Sequence, residues 1–133
     1  GFMLGVSLLS ACGAGEPEIE VSGAWVRPAY DQAAAFMIVR NVGTETDTLL
    51  SIKSEAANMV GLHQTTMTGD IARMSPVESL EVIGGGQIAL EPLGYHVMMA
   101  ELTREIGPGD TVELTLQFEK TGEKIVQASV RQD

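Results

Sequence analysis

A chain of 133 residues is long enough for one domain with a real core, and 44% hydrophobic with 20% charged residues is a globular rather than a disordered composition. The formal net charge of −10, without a clustered Lys/Arg patch, argues against nucleic acid as a partner, because such a field repels phosphate backbones. The single cysteine, Cys12, can form neither an internal disulfide nor a thiolate zinc site.

Phe2 to Leu9 is a short apolar run followed by "LSAC", Leu9 to Cys12. This resembles the end of a bacterial lipoprotein signal, in which a small-residue lipobox precedes a cysteine that becomes the lipidated first residue. The run is shorter than the roughly 20 apolar residues that span a bilayer. No basic segment precedes it, so the chain is expected to start inside the signal. The competing reading is a buried N-terminal strand with a core cysteine. "GAGEPE", Gly13 to Glu18, reads instead as a flexible acidic tether. The expected organisation is therefore a truncated signal over residues 1–12 with Cys12 lipidated, a linker over 13–18 and one domain over 19–131. The expected location is extracytoplasmic, in the periplasm or on the outer face of the cell membrane, with a lipid anchor.

The domain reads as mostly β. Trp25 is assigned to the core, with an exposed Trp that covers copper near the site as the alternative; further on, Met37 and Met59 are assigned to the core, and Arg27-Pro28 to an edge strand. "TETDTLLSIKSEAANMV" is ambiguous, with a short helical piece near Ser54 to Asn58. In "GLHQTTMTGDIARMSPV", Gly69-Asp70 fits a two-residue hairpin turn with glycine first. That register sets Thr65 opposite Met74 and makes His63 a diagonal neighbour of Met74 on the same face. A one-residue slip would separate them. "GGG", Gly84 to Gly86, is a turn; as a phosphate loop it lacks the following GK[ST]. In "YHVMM", alternation puts Tyr95, Val97 and Met99 on one face and His96 and Met98 on the other. The first set looks like core, the second like a bidentate clamp. "IGPGD", Ile106 to Asp110, is a further turn. "TVELTLQFE" sets Val112, Leu114, Leu116 and Phe118 on one face. After the turn "KTGE", "KIVQASV" does the same with Val126, Ala128 and Val130, a closing hairpin. Turns at strand-length intervals suggest a sandwich or barrel.

The chain's two histidines, with Met74 and Met98, make two imidazoles and two thioethers, all neutral when they bind. Thioethers are soft and select Cu(I), and an uncharged set leaves the site at +1. Zinc prefers thiolates, or histidines with carboxylates. A blue-copper site needs a cysteine ligand, and Cys12 lies in the anchor. Thioethers also suit an oxidising compartment. Taken singly, a strand Met is more often core filler and a lone His more often a satisfied structural residue; the joint pattern carries the metal reading. Met67, near the hairpin tip, is either an auxiliary thioether or a local shield.

These residues stand as His63, ten residues, Met74, twenty-one residues, His96, one residue, Met98. That spacing resembles the H-x10-M-x21-H-x-M signature of the PCuAC family of periplasmic copper chaperones. "GAWVRPA", "PVESLEVIGGGQIALEPLGYHVMM" and "GDTVELTLQFEKTG" resemble the family's N-terminal, central and C-terminal blocks, so the likeness covers about residues 20–130. It implies a single-domain, all-β, cupredoxin-like Greek-key β-sandwich. It also implies a surface Cu(I) site held by His63, Met74, His96 and Met98. The partner it implies is a copper acceptor such as cytochrome c oxidase subunit II or a thioredoxin-like copper chaperone, with the membrane reached through the lipid anchor.

Three functions compete on this footing. One is copper delivery, to the binuclear centre of cytochrome c oxidase. The second is sequestration for copper tolerance without a specific recipient. The third is a structural β-sandwich that binds no metal. An enzyme is not expected, since no thiolate nucleophile is available and neither histidine has a Ser/Asp partner motif.

Overall fold

The computed structural model describes residues 15–132, so Cys12 and the apolar run before it lie outside the described residues. Ten strands follow one another: β1 (Ile19–Ala29), β2 (Gln32–Asn41), β3 (Asp47–Lys53), β4 (Ala57–Thr68), β5 (Ile71–Pro76), β6 (Leu80–Val82), β7 (Gln87–Leu90), β8 (Tyr95–Leu102), β9 (Thr111–Phe118) and β10 (Gly122–Val130). They form one hydrogen-bonded sheet in the order β5-β4-β8-β7-β2-β1-β10-β9-β3-β6, with β8 also pairing β2. The first half of β2 pairs β8 and the second half pairs β7.

The sheet curls round a single core. Leu62 of β4 and Leu49 of β3 lie near opposite ends of the strand order yet share one buried cluster. Alternation decides which side chains enter it. Val112, Leu114, Leu116 and Phe118 of β9 face inward with Ala128 and Val130 of β10, as their period of two predicts. Leu62, Val97, Met99, Ala33 and Ala35 fill the same core from β4, β8 and β2. Met99 is fully buried, whereas Met98 points to the other face and is half-buried.

Several expectations need correcting. Ser54 to Asn58 is not helical: a turn at residues 55–56 joins β3 to β4, with the Ser54 hydroxyl accepting the Ala56 N–H at 3.2 Å and donating to the Glu113 carbonyl at 2.9 Å. Trp25 is not a core residue. Ile19 faces inward, and strict alternation would carry Trp25 inward too. A one-residue bulge between Ser22 and Trp25 reverses the parity, so Val26 enters the core and Trp25 turns out. Gly23 makes that bulge feasible by adopting φ 64°, where a side chain is strained. Met37 is buried, but Met59 is 58% exposed. Pro28 lies in a strand between β2 and β10, not at the sheet's edge, but β10 pairs β1 only at Trp25 and Val26, so Pro28 sits past the end of that pairing.

Two buried polar side chains tie the loops. Asn41 accepts the backbone N–H groups of Glu18 and Gly43 and donates to the carbonyls of Glu45 and Val82. The carbonyl of Glu16 accepts the Thr44 N–H at 2.9 Å. The last residues of the expected linker thus lie against the fold.

Asp47, at the start of β3, accepts the N–H groups of Thr48, Lys120 and Thr121 and the Thr121 hydroxyl, which fastens β3 to the β9–β10 turn. Burial pushes its carboxyl up, but these hydrogen bonds outweigh it and hold the group below the ordinary 3.8. Asp47→Asn is expected to cost about 1–3 kcal/mol at neutral pH, because the amide cannot accept all these donors. A depressed carboxyl stabilises fully above its unfolded value and loses that contribution as pH falls through the lower folded value. Urea melts should therefore show the gap between variant and wild type closing below pH 3.8.

Candidate metal centre

The outward face of β5, β4, β8 and β2 gathers every candidate ligand. The β4–β5 hairpin turns through Gly69 and Asp70, with Gly69 at φ 63°, the glycine-first geometry of a two-residue hairpin. Thr65 pairs Met74 and His63 pairs Pro76, so His63 and Met74 are diagonal neighbours on one face. β8 lies on the other side of β4, and there His63 faces His96 directly while Gly61 faces Met98. Directly paired residues share a face, and so do residues two apart. His63, Met74, His96 and Met98 therefore project from one side of three neighbouring strands.

Their exposure is graded. His96 is 3% exposed, His63 and Met98 are half-buried, and Met74 on the edge strand β5 is 59% exposed. Met67 also projects from this face, four residues towards the hairpin tip from His63, and is exposed.

Of the two imidazoles, His96 is set to offer a lone pair. Their ring centroids lie 6.0 Å apart with planes inclined by 22°, a span that two metal–nitrogen bonds of about 2.0 Å plus two ring radii can bridge. His96 Nδ1 lies 3.1 Å from the Gly94 carbonyl. A carbonyl only accepts, so Nδ1 carries the proton and Nε2 of the neutral ring is left bare. That Nε2 is buried and has no hydrogen-bond partner; neither has the buried Nδ1 of His63. Buried polar atoms are nearly always paired, and leaving one unpaired costs about 1–3 kcal/mol. Two such atoms lie on facing residues, and the bare Nε2 of His96 suits something that accepts an electron pair.

The donor set restricts what that is. Among the described residues no group of three or more His, Cys, Asp or Glu side chains converges, so a hard or thiolate-rich site is not built here. Besides the buried Thr65, the side-chain donor atoms that flank the imidazoles on this face are thioether sulfurs. The His63 ring leans over Gly61, whose missing side chain would lie 3.8 Å from Cε1, towards the row that carries Met98.

Sequence reasoning missed the groups that position His96. Gly94 fixes its tautomer, and no spacing rule marks a carbonyl. Phe36 of β2 packs beside its ring at a centroid distance of 6.4 Å, Trp25 packs on Phe36 at 4.8 Å, and Arg27 and Arg131 cover the pair. The bulge in β1 is what puts Trp25 there. The charged groups stacked over this aromatic patch beside the site are thus guanidiniums.

Comparison with known proteins places the fold. A copper-bound PCuAC domain from PmoF2 superposes with a TM-score of 0.74 at 23% identity, covering 89% of this chain and 99% of that one. The solution structure of Cu(I)-bound DR1885 from Deinococcus radiodurans gives 0.71 at 28% identity, covering 96% and 87%. The fold is therefore the cupredoxin-like β fold of PCuAC domains. In sequence, a protein of Leifsonia xyli subsp. xyli named "Putative lipoprotein Lxx21020" is 31% identical over 102 residues, which is 75% of this chain; the chain spans 61% of that relative's length. A family model described as "Putative lipoprotein LpqE-like" matches residues 19–130. Since that match runs from the first strand to the last, the chain belongs to the LpqE-like family.

Proposed function

We propose that this chain is an extracytoplasmic Cu(I) metallochaperone, lipid-anchored through Cys12, that holds one Cu(I) between His63, Met74, His96 and Met98 and delivers it to the binuclear copper centre of cytochrome c oxidase. The observation that carries the reading is the pair of buried, unpartnered ring nitrogens on facing histidines beside two thioethers on the same face. The spacing His63, ten residues, Met74, twenty-one residues, His96, one residue, Met98 supports the assignment, as does the likeness to a structure named as Cu(I)-bound. The lipoprotein description of the family supports the anchor, with residues 1–12 as signal and 19–131 as the copper domain.

The graded exposure suits delivery. A chaperone must let a partner displace its ligands one at a time. Met74 is the most exposed and sits on a strand with a free edge, so it leaves first. His96, buried and held through Gly94, leaves last. Two imidazoles and two thioethers add no charge, so the loaded site stays at +1 and favours Cu(I).

Deleting the gene tests delivery. Oxidase activity is expected to fall in cells grown at low copper and to return when copper is added. Copper sensitivity with normal oxidase activity would replace delivery with sequestration, a function that uses the same residues.

A further inference from the structure

Met59 is a large apolar side chain left 58% exposed, and its position gives that exposure a use. It lies on β4 two residues from Gly61 and four from His63, on the same outward face. Across β8 it pairs with Ala100, while Gly61 pairs with Met98. Met59 and Met98 are therefore diagonal neighbours on adjacent strands, about 7–8 Å apart along that diagonal, within reach of long side chains. What separates Met59 from the candidate ligands is small. Gly61 has no side chain, and a Cβ placed there would meet only the His63 ring within 4 Å. Ala100 contributes a methyl. A thioether with three rotatable bonds has open space to swing towards Met98 and His63.

We infer that Met59 is a transfer ligand: a thioether outside the resting shell that takes Cu(I) from Met98 as the ion leaves. The inference rests on the copper reading above. Exchange of one thioether for another is an associative step in which a sulfur lone pair of Met59 forms a bond to copper before a departing sulfur breaks its own, with no change in charge or oxidation state. On this account Met59 adds little to resting affinity, because the shell is already complete. It speeds release, because each departing ligand is replaced before the ion faces water.

The test uses the Cu(I)-loaded chain under anaerobic conditions, beside Met59→Leu, a swap of similar volume at an exposed site. The rate of Cu(I) transfer to a chromophoric chelator and the methyl resonances of 13C-methyl methionine are read together. The expected result is unchanged equilibrium affinity, transfer slowed about tenfold, and a Met59 methyl that shifts in the wild type during copper exchange. Wild-type transfer by Met59→Leu, or a Met59 methyl that ignores copper while those of Met74 and Met98 respond, overturns the inference and leaves the site intact. If no methionine methyl responds to Cu(I), the copper reading itself fails and this inference falls with it.

Discussion

His96→Leu is expected to remove Cu(I) binding while leaving the copper-free protein as stable as the wild type, or more stable. The two effects have one cause. In the copper-free fold His96 contributes a buried Nε2 with nothing to bond to, a penalty of about 1–3 kcal/mol. Its one hydrogen bond, Nδ1 to the Gly94 carbonyl, can be given up cheaply, because the same carbonyl still accepts the Thr65 N–H at 3.0 Å. Leucine fills comparable volume against Phe36 and brings no unpaired atom. Denaturant melts of the metal-free variant should lie between no change and about 2 kcal/mol of added stability. Copper affinity should fall by more than about a hundredfold, since changes to groups that merely support a ligand already cost about 10–100-fold. A histidine kept for structure predicts the reverse on both counts: a destabilised fold and unaltered metal binding.

Met74→Leu and Met98→Leu separate soft-metal binding from packing. Each swap nearly conserves volume, and Met74 is 59% exposed, so stability should move by less than about 0.5 kcal/mol. Cu(I) affinity should fall by about tenfold or more in each variant. The double variant keeps only the two imidazoles and should lose its preference for Cu(I) over harder ions, because the soft donors are gone. Met99→Leu is the control. It sits one residue from Met98 but is fully buried on the opposite face, and Cu(I) affinity should not change. Equal affinity in wild type, Met74→Leu and Met98→Leu would remove the thioethers from the site.

Local rules made much of this legible. A turn that needs glycine first sets the register of β4 and β5, and from Gly69-Asp70 alone the pairing of Thr65 with Met74 follows. Alternation likewise separates Met98 from Met99 and orders the inward residues of β9 and β10. What stayed hidden depends on breaks in those rules or on neighbours distant in sequence. The bulge at Gly23 reverses the parity of β1, so Trp25 turns out to cover Phe36 rather than the core. Met59 reads as core filler by composition, yet counting in twos from His63 places it outward, so its exposure was available to the same rule that placed His96. The direct facing of His63 and His96 depends on β4 pairing with β8, strands joined through three intervening elements. Turn chemistry cannot supply that contact.

The most direct test is an anaerobic titration of the chain with Cu(I) against a chromophoric chelator. The account predicts that one equivalent per chain is withheld from the chelator by the wild type and none by His96→Leu. A wild-type chain that withholds no copper would contradict it, and the facing histidines would then need another occupant for their unpaired nitrogens.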